Sequence, residues 1–192
     1  MLANILLPLI ERTAAAAGSA RIVNTSSSLS TWSVCQELDL SLVTSPTPTK
    51  SPASFDSTWR YGRSKPANIL FTRELARRLQ KKGVATVYVN SFFPGNISTE
   101  AMDTWKQLFG SITGTHFKGT FQVIGQSPPE AAATALFLAA SKDVETRDLK
   151  SRYFVPITAE HKTSPLADGK DLAKNLWYWS DHKVTESLGK GW

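Results

Sequence analysis

Apolar residues recur at helical spacing in four stretches of the chain, and three short β-branched or aromatic runs lie between them. Residues 3 to 16 place Ile5, Leu6, Leu9 and Ile10 on a repeat of three and four, with Gly18 as a stop signal. Pro8 within this stretch costs helix stability unless it falls in the first turn. The run RIVNTSS, 21 to 27, then reads as a strand ending in hydroxyl residues. Helical periodicity returns from about Ser57 to Gln80 and stops at Lys81, Lys82 and Gly83, and VATVYVNSFFPG, 84 to 95, reads as a buried strand closed by Pro94 and Gly95. Residues 127 to 141 open on Ser127, Pro128 and Glu130, a helix start signal, before an alanine- and leucine-rich body. RYFVPI, 152 to 157, is a third strand, and 171 to 184 a last amphipathic helix with Leu172, Leu176 and Trp179 on its inner side.

This alternation predicts an α/β fold with parallel strands, because each crossover is long enough to hold a helix. Three strands are few for such a sheet, so one edge is expected to be unfinished. Two stretches break the pattern. Residues 28 to 58 are rich in Ser, Thr and Pro, with SPTPTKSP at the centre and only Leu38 to Val43 able to pack, and are expected to form a long loop. Residues 98 to 126 read as an irregular or short-helical excursion.

At 192 residues the chain is one domain's worth, 1–192, and its 41% hydrophobic and 20% charged residues are ordinary for a globular protein. The net charge of +6 invites an anionic partner. Its densest basic group, Arg73, Arg77, Arg78, Lys81 and Lys82, shares a helix with Glu74 and reads as a solvated face, and no nucleic-acid motif accompanies it. The single Cys35 excludes an internal disulfide and points to a reducing compartment. The opening MLANILLPLIERTAAAAGSA imitates a secretory signal but lacks a positive start, and Glu11 and Arg12 interrupt it, so it reads as a helix. With no stretch long enough to span a bilayer, a cytoplasmic location is the expectation. His116, His161 and His182 show no metal-ligand spacing with one another or with Cys35, so no metal is expected. Trp177 and Trp179 are read as packing the terminal helix onto the body.

The chemistry sits in YGRSK, 61 to 65. A free tyrosine titrates near about 10 and is a poor base at neutral pH unless a positive charge favours the phenolate. Positions i and i+4 of a helix share a face, so Lys65 can lie beside the Tyr61 oxygen. Pro66, directly after Lys65, removes the hydrogen bond back to Gly62 and disfavours helix at Lys65. A helix that began at Pro66 would part the pair.

RIVNTSS, then YGRSK with ANILFTREL, then NSFFPGNIST, together resemble the catalytic half of the short-chain dehydrogenase/reductase family, in its retinol-dehydrogenase-like branch. The closing YFVPI and LWYWS are similar to the tail of fungal members, and the likeness runs from about residue 3 to 184. It implies a partial Rossmann-like, doubly wound parallel sheet lacking the N-terminal dinucleotide-binding strands. Residue by residue, it implies Ser27 as the serine that orients the substrate oxygen, with Ser26 and Ser28 as rivals in a run of three. Tyr61 matches the general acid/base and Lys65 its activating partner, while Pro94, Gly95, Ile97 and Thr99 match the segment closing on the nicotinamide end. The implied cofactor is NADP or NAD, with Tyr61, Lys65, Ile97 and Thr99 as its contacts. The implied partners are a small-molecule substrate and a homodimer or a full-length relative, paired through the helices at 3 to 16 and 60 to 80.

The family also begins with a strand, a glycine-rich turn and a helix that holds the cofactor pyrophosphate. Ahead of RIVNTSS this chain has only Gly18, and Asn4 falls about two turns too late to match the family's catalytic asparagine. The sequence therefore reads as a family member cut within the helix before the serine strand. Three functions follow as expectations. One is an oxidoreductase of a small apolar carbonyl or alcohol, in secondary metabolism. The second is a cofactor-free isomerase or cyclase that uses Tyr61 and Lys65 for proton transfer. The third is a non-catalytic scaffold.

Overall fold

The structure is a computed structural model that describes residues 2–30, 37–44, 53–97 and 126–189. Its elements are α1 (Leu2–Ala17), β1 (Ala20–Thr25), two 3-10 turns (Ser28–Ser30 and Leu40–Leu42), α2 (Ala53–Lys81) and β2 (Val87–Phe92). After these come α3 (Pro128–Ala140), α4 (Asp143–Thr146), β3 (Tyr153–Val155), β4 (Ala159–Glu160), α5 (Pro165–Asp168) and α6 (Lys170–Leu188). The sheet order is β1-β2-β3-β4. β1 and β2 run parallel with Ile22 opposite Val89, β2 and β3 run parallel with Ser91 opposite Tyr153, and β4 folds back antiparallel to β3.

The α/β architecture with parallel strands is as expected, and the fourth, short strand is an addition to the three that the sequence signals. Alternation along β2 explains the layering. Val87 and Val89 join Ile22 under α1 and α2, in a core with Ala14, Leu75 and Leu79. Phe92 faces the other way, into a core with Leu138 of α3, Val144, Leu149 and Phe154. Helices thus cover both faces of the sheet, as in a doubly wound fold.

α2 begins at Ala53, within the stretch expected to be loop, and continues through Pro66 to Lys81. α1 likewise runs through Pro8. In the basic group expected to be a solvated face, Arg77, Lys81 and Lys82 are exposed as expected, while Arg73, Arg78 and Lys82 also reach neighbouring elements. Arg73 donates to the Ala167 carbonyl at 2.5 Å and pairs with Asp168, and Lys82 bonds Glu11 of α1 at 2.6 Å. Arg78 lies 4.4 Å from the ring centre of Trp177 on α6, and that indole stacks on Phe71 at 5.5 Å. Beneath them the buried Glu74 carboxylate accepts from Arg77 and Arg78 at 2.6–2.7 Å, and these bonds hold its carboxyl below its ordinary value.

The start of α3 is fixed as its sequence predicts. Ser127 donates both its N–H and its hydroxyl to Glu130 at 2.8 Å, which lowers the Glu130 carboxyl. Before β3, the buried Asn90 side chain donates to the Leu149 carbonyl at 2.7 Å and accepts from the Arg152 N–H at 3.0 Å. That clip holds a turn in which Asp148 and Ser151 both have positive φ, 47° and 61°. Among the described residues no helix is long and apolar enough to cross a membrane.

Candidate functional site

α2 docks along the end of β1 through side chains at helical spacing. Asn24 donates to the Thr72 hydroxyl at 2.8 Å, Asn68 to the Thr25 carbonyl at 2.9 Å, and the Ser26 hydroxyl to the Lys65 carbonyl at 2.9 Å. These contacts place the Tyr61 to Lys65 turn of α2 just past the end of β1, where the chain leaves through Ser27.

Tyr61 and Lys65 share a face, because the helix starts upstream of both and does not break at Pro66. The Lys65 ammonium lies 4.8 Å from the centre of the Tyr61 ring, and the Tyr61 side chain is exposed. The arrangement offers a phenol and an ammonium together at an accessible surface, a donor set suited to hydroxyl groups of a bound molecule and to proton exchange with an oxygen.

The serine run separates by hydrogen bonding. Ser26 N–H donates to the Phe92 carbonyl at 2.6 Å, extending the ladder, and its hydroxyl is committed to Lys65. Ser27 is buried, and its carbonyl accepts from the Ser30 N–H at 3.0 Å, the Ser30 hydroxyl at 2.5 Å and the Tyr153 hydroxyl at 3.2 Å. Ser28 lines a cleft of about 270 Å³ with Phe93, Asn96, Gln126, Tyr153 and His161.

The loop after β2 forms the wall of that cleft. Gly95 has φ +104°, and a Cβ there would lie 2.3 Å from the Gln126 side-chain oxygen. That oxygen accepts from the Asn96 N–H at 2.7 Å, the Gln126 N–H donates to the Asn96 carbonyl at 2.9 Å, and Ile97 pairs with Gln126 in a parallel bridge. Thr99, Cys35 and His116 lie outside the described residues. Among the described residues no group of three His, Cys, Asp or Glu could hold a metal ion.

Sequence reading passed over Tyr153, Ser30 and Gln126. Tyr153 looked like one apolar residue of a strand, and only its hydroxyl among buried neighbours hinted at a polar role. Gln126 carried no signal, because its part depends on the tight approach that Gly95 permits.

No protein-family model matches the chain. It is 34% identical over 190 residues to mouse retinol dehydrogenase 14, covering 96% of this chain and 49% of that protein, and equally identical to the human counterpart, covering 48% of it. It is 32% identical over 188 residues to a short-chain dehydrogenase/reductase of Armillaria gallica, covering 92% of this chain and 54% of that one. The chain thus spans about half the length of the relatives it matches. Through these likenesses, which take in the whole site described above, the chain belongs to the short-chain dehydrogenase/reductase family, in its retinol-dehydrogenase-like branch.

Proposed function

We propose that the chain carries the proton-transfer centre of a nicotinamide-dependent oxidoreductase acting on an apolar carbonyl or alcohol. The observation that carries this reading is the Lys65 ammonium standing 4.8 Å from the Tyr61 ring beside the end of β1. Tyr61 exchanges a proton with the substrate oxygen through its hydroxyl. The Ser27 hydroxyl donates to the same oxygen and orients it. Lys65 would hold the ribose hydroxyls through its ammonium, and Ile97 and Thr99 would be the contacts of the nicotinamide end.

NAD or NADP, when bound, supplies or accepts the hydride. An ammonium and a phenol lying together make a donor set suited to ribose hydroxyls and a substrate oxygen, which supports this reading. The sequence has no glycine-rich strand-to-helix turn of the kind that cradles a pyrophosphate. Self-pairing through α1, where Leu2, Ile5, Leu6 and Leu9 are exposed, accompanies this reading.

The test is calorimetric titration of the folded chain with NADPH and NADH, followed by turnover of all-trans-retinol with NADP+ and NAD+. Retinol is the first probe because two relatives are named retinol dehydrogenases. Binding of either cofactor, with turnover abolished in Tyr61→Phe, supports the proposal. A well-folded chain that binds neither overturns it and leaves cofactor-free proton chemistry or a scaffold.

A further inference from the structure

The Ser27 carbonyl has more donors than satisfaction requires. Ser30 N–H alone, at 3.0 Å, would provide the usual partner of a short turn. Two hydroxyls are added, from Ser30 at 2.5 Å and from Tyr153 at 3.2 Å, and they stand 3.5 Å from each other. Ser30 belongs to the turn after β1 and Tyr153 to β3, so two remote parts of the chain converge on one oxygen. All three residues are buried, which strengthens each bond and excludes competing water. Burial also pushes the Tyr153 phenol up, so that it stays protonated and able to donate.

A carbonyl held from several directions cannot swing, and its peptide plane adjoins the Cα from which the Ser27 hydroxyl projects. We propose that Tyr153 and Ser30 are positioning residues that fix the Ser27 peptide and so aim the Ser27 hydroxyl at the substrate oxygen. This rests on the reading that Ser27 orients that oxygen. Neither residue touches the reacting atoms in this scheme.

The test uses Tyr153→Phe, Ser30→Ala and the double variant of the whole chain. Either single variant leaves the Ser27 carbonyl with remaining donors, so the fold is retained. The first readout needs no substrate: NMR couplings across the Ser27 Cα–Cβ bond and the Ser27 carbonyl carbon shift. The expected result is one Ser27 rotamer in the wild type and rotamer averaging with a moved carbonyl shift in the double variant, while Thr72 and Ser91 stay unchanged. An unmoved rotamer and carbonyl shift overturn the proposal.

The second readout is kinetic, with all-trans-retinol and NADP+ as probes. The double variant is expected to lose about tenfold in kcat with KM held within about twofold. Wild-type kcat in the double variant beside an inactive Ser27→Ala overturns the positioning role alone. Full activity in Ser27→Ala removes the Ser27 reading on which the proposal rests, even where the rotamer moves.

Discussion

Lys65 holds its ammonium over the ring of Tyr61, 4.8 Å from the centre, one helical turn further along α2. The contact links the two residues without using the phenol hydroxyl, so the hydroxyl and the cation can be removed separately. Tyr61→Phe keeps the ring and the cation contact. Because this side chain is exposed, Tm is expected to change little, while kcat for the redox probe falls by about 10²-fold or more. Lys65→Met is expected to lower kcat and weaken cofactor binding together. Steady-state kinetics beside thermal melts checks both, and a Tyr61→Phe variant with wild-type kcat would remove Tyr61 from the chemistry.

Pro66 sits inside α2, where its missing N–H leaves the Gly62 carbonyl without its helical donor. A proline inside a helix costs about 3 kcal/mol, which lost packing of a buried ring and a freer unfolded chain partly offset on replacement. Pro66→Ala is therefore expected to stabilise by about 1 kcal/mol, with kcat unchanged because Tyr61 and Lys65 already share a face. Urea denaturation gives the answer, and a lower midpoint would mean the ring's packing outweighs the restored bond.

Glu74 titrates lower in the fold than its ordinary value of 4.5, first because of its hydrogen bond from Arg77 and then because of Arg78, against the opposing effect of burial. Folding therefore favours the ionised form. The stability it adds is complete above the ordinary carboxylate range and drains away as pH falls through the lower folded value. Glu74→Gln is expected to cost about 1–3 kcal/mol at pH 7. It is also expected to flatten the loss of stability between about pH 5 and pH 3. Chemical denaturation across that range measures both, and parallel curves for the two proteins would rule out the linkage.

Gly95 and Gln126 are coupled through space that only glycine leaves open. With φ at +104° and the Gln126 oxygen 2.3 Å from the position of a Cβ, Gly95→Ala is expected to cost about 1–3 kcal/mol. Part of that cost is backbone strain and part is collision. Gln126→Ala in the same chain relieves the collision alone, so the double variant should be more stable than the sum of the single changes allows. Strict additivity in a double-mutant cycle would show that the Gln126 collision adds nothing, leaving backbone strain and the Pro156 ring, 3.1 Å from the same Cβ position, as the source of the cost.

The first three strands were legible because they are β-branched or aromatic runs that bury residues such as Ile22, Val89 and Phe154. The expected ends, 21 to 27 and 84 to 95, overshoot Ala20–Thr25 and Val87–Phe92 because apolar and hydroxyl residues continue past the last rung of the ladder. β4 was not legible: Ala159 and Glu160 are both exposed, and they pair only because a turn returns them to β3, where Arg152 meets Glu160 at 2.8 Å. The first turns of α2 were hidden by serine and proline around Ala53, composition that signals loop when no tertiary partner is known.

At the site, spacing alone brought Tyr61 to Lys65. It could not set Ser26 apart from Ser27 and Ser28, because that distinction depends on where α2 docks. Ser26 spends its hydroxyl on the Lys65 carbonyl, a contact between residues on different elements. Nor could it find Tyr153, whose hydroxyl meets the Ser27 carbonyl across most of the chain.

Each parallel rung of the sheet joins residues far apart in the chain, Ala20 with Val87 and Ser91 with Tyr153. Pairings of that kind close long loops before they return any favourable contact, which places folding toward the slow end for domains of this size. β1 precedes β2 and β3 in the chain, yet it gains its ladder only when β2 arrives, and β3 must follow before Tyr153 can reach Ser27. Ser27 is thus synthesised well before Tyr153, the residue whose hydroxyl reaches its carbonyl in the finished sheet.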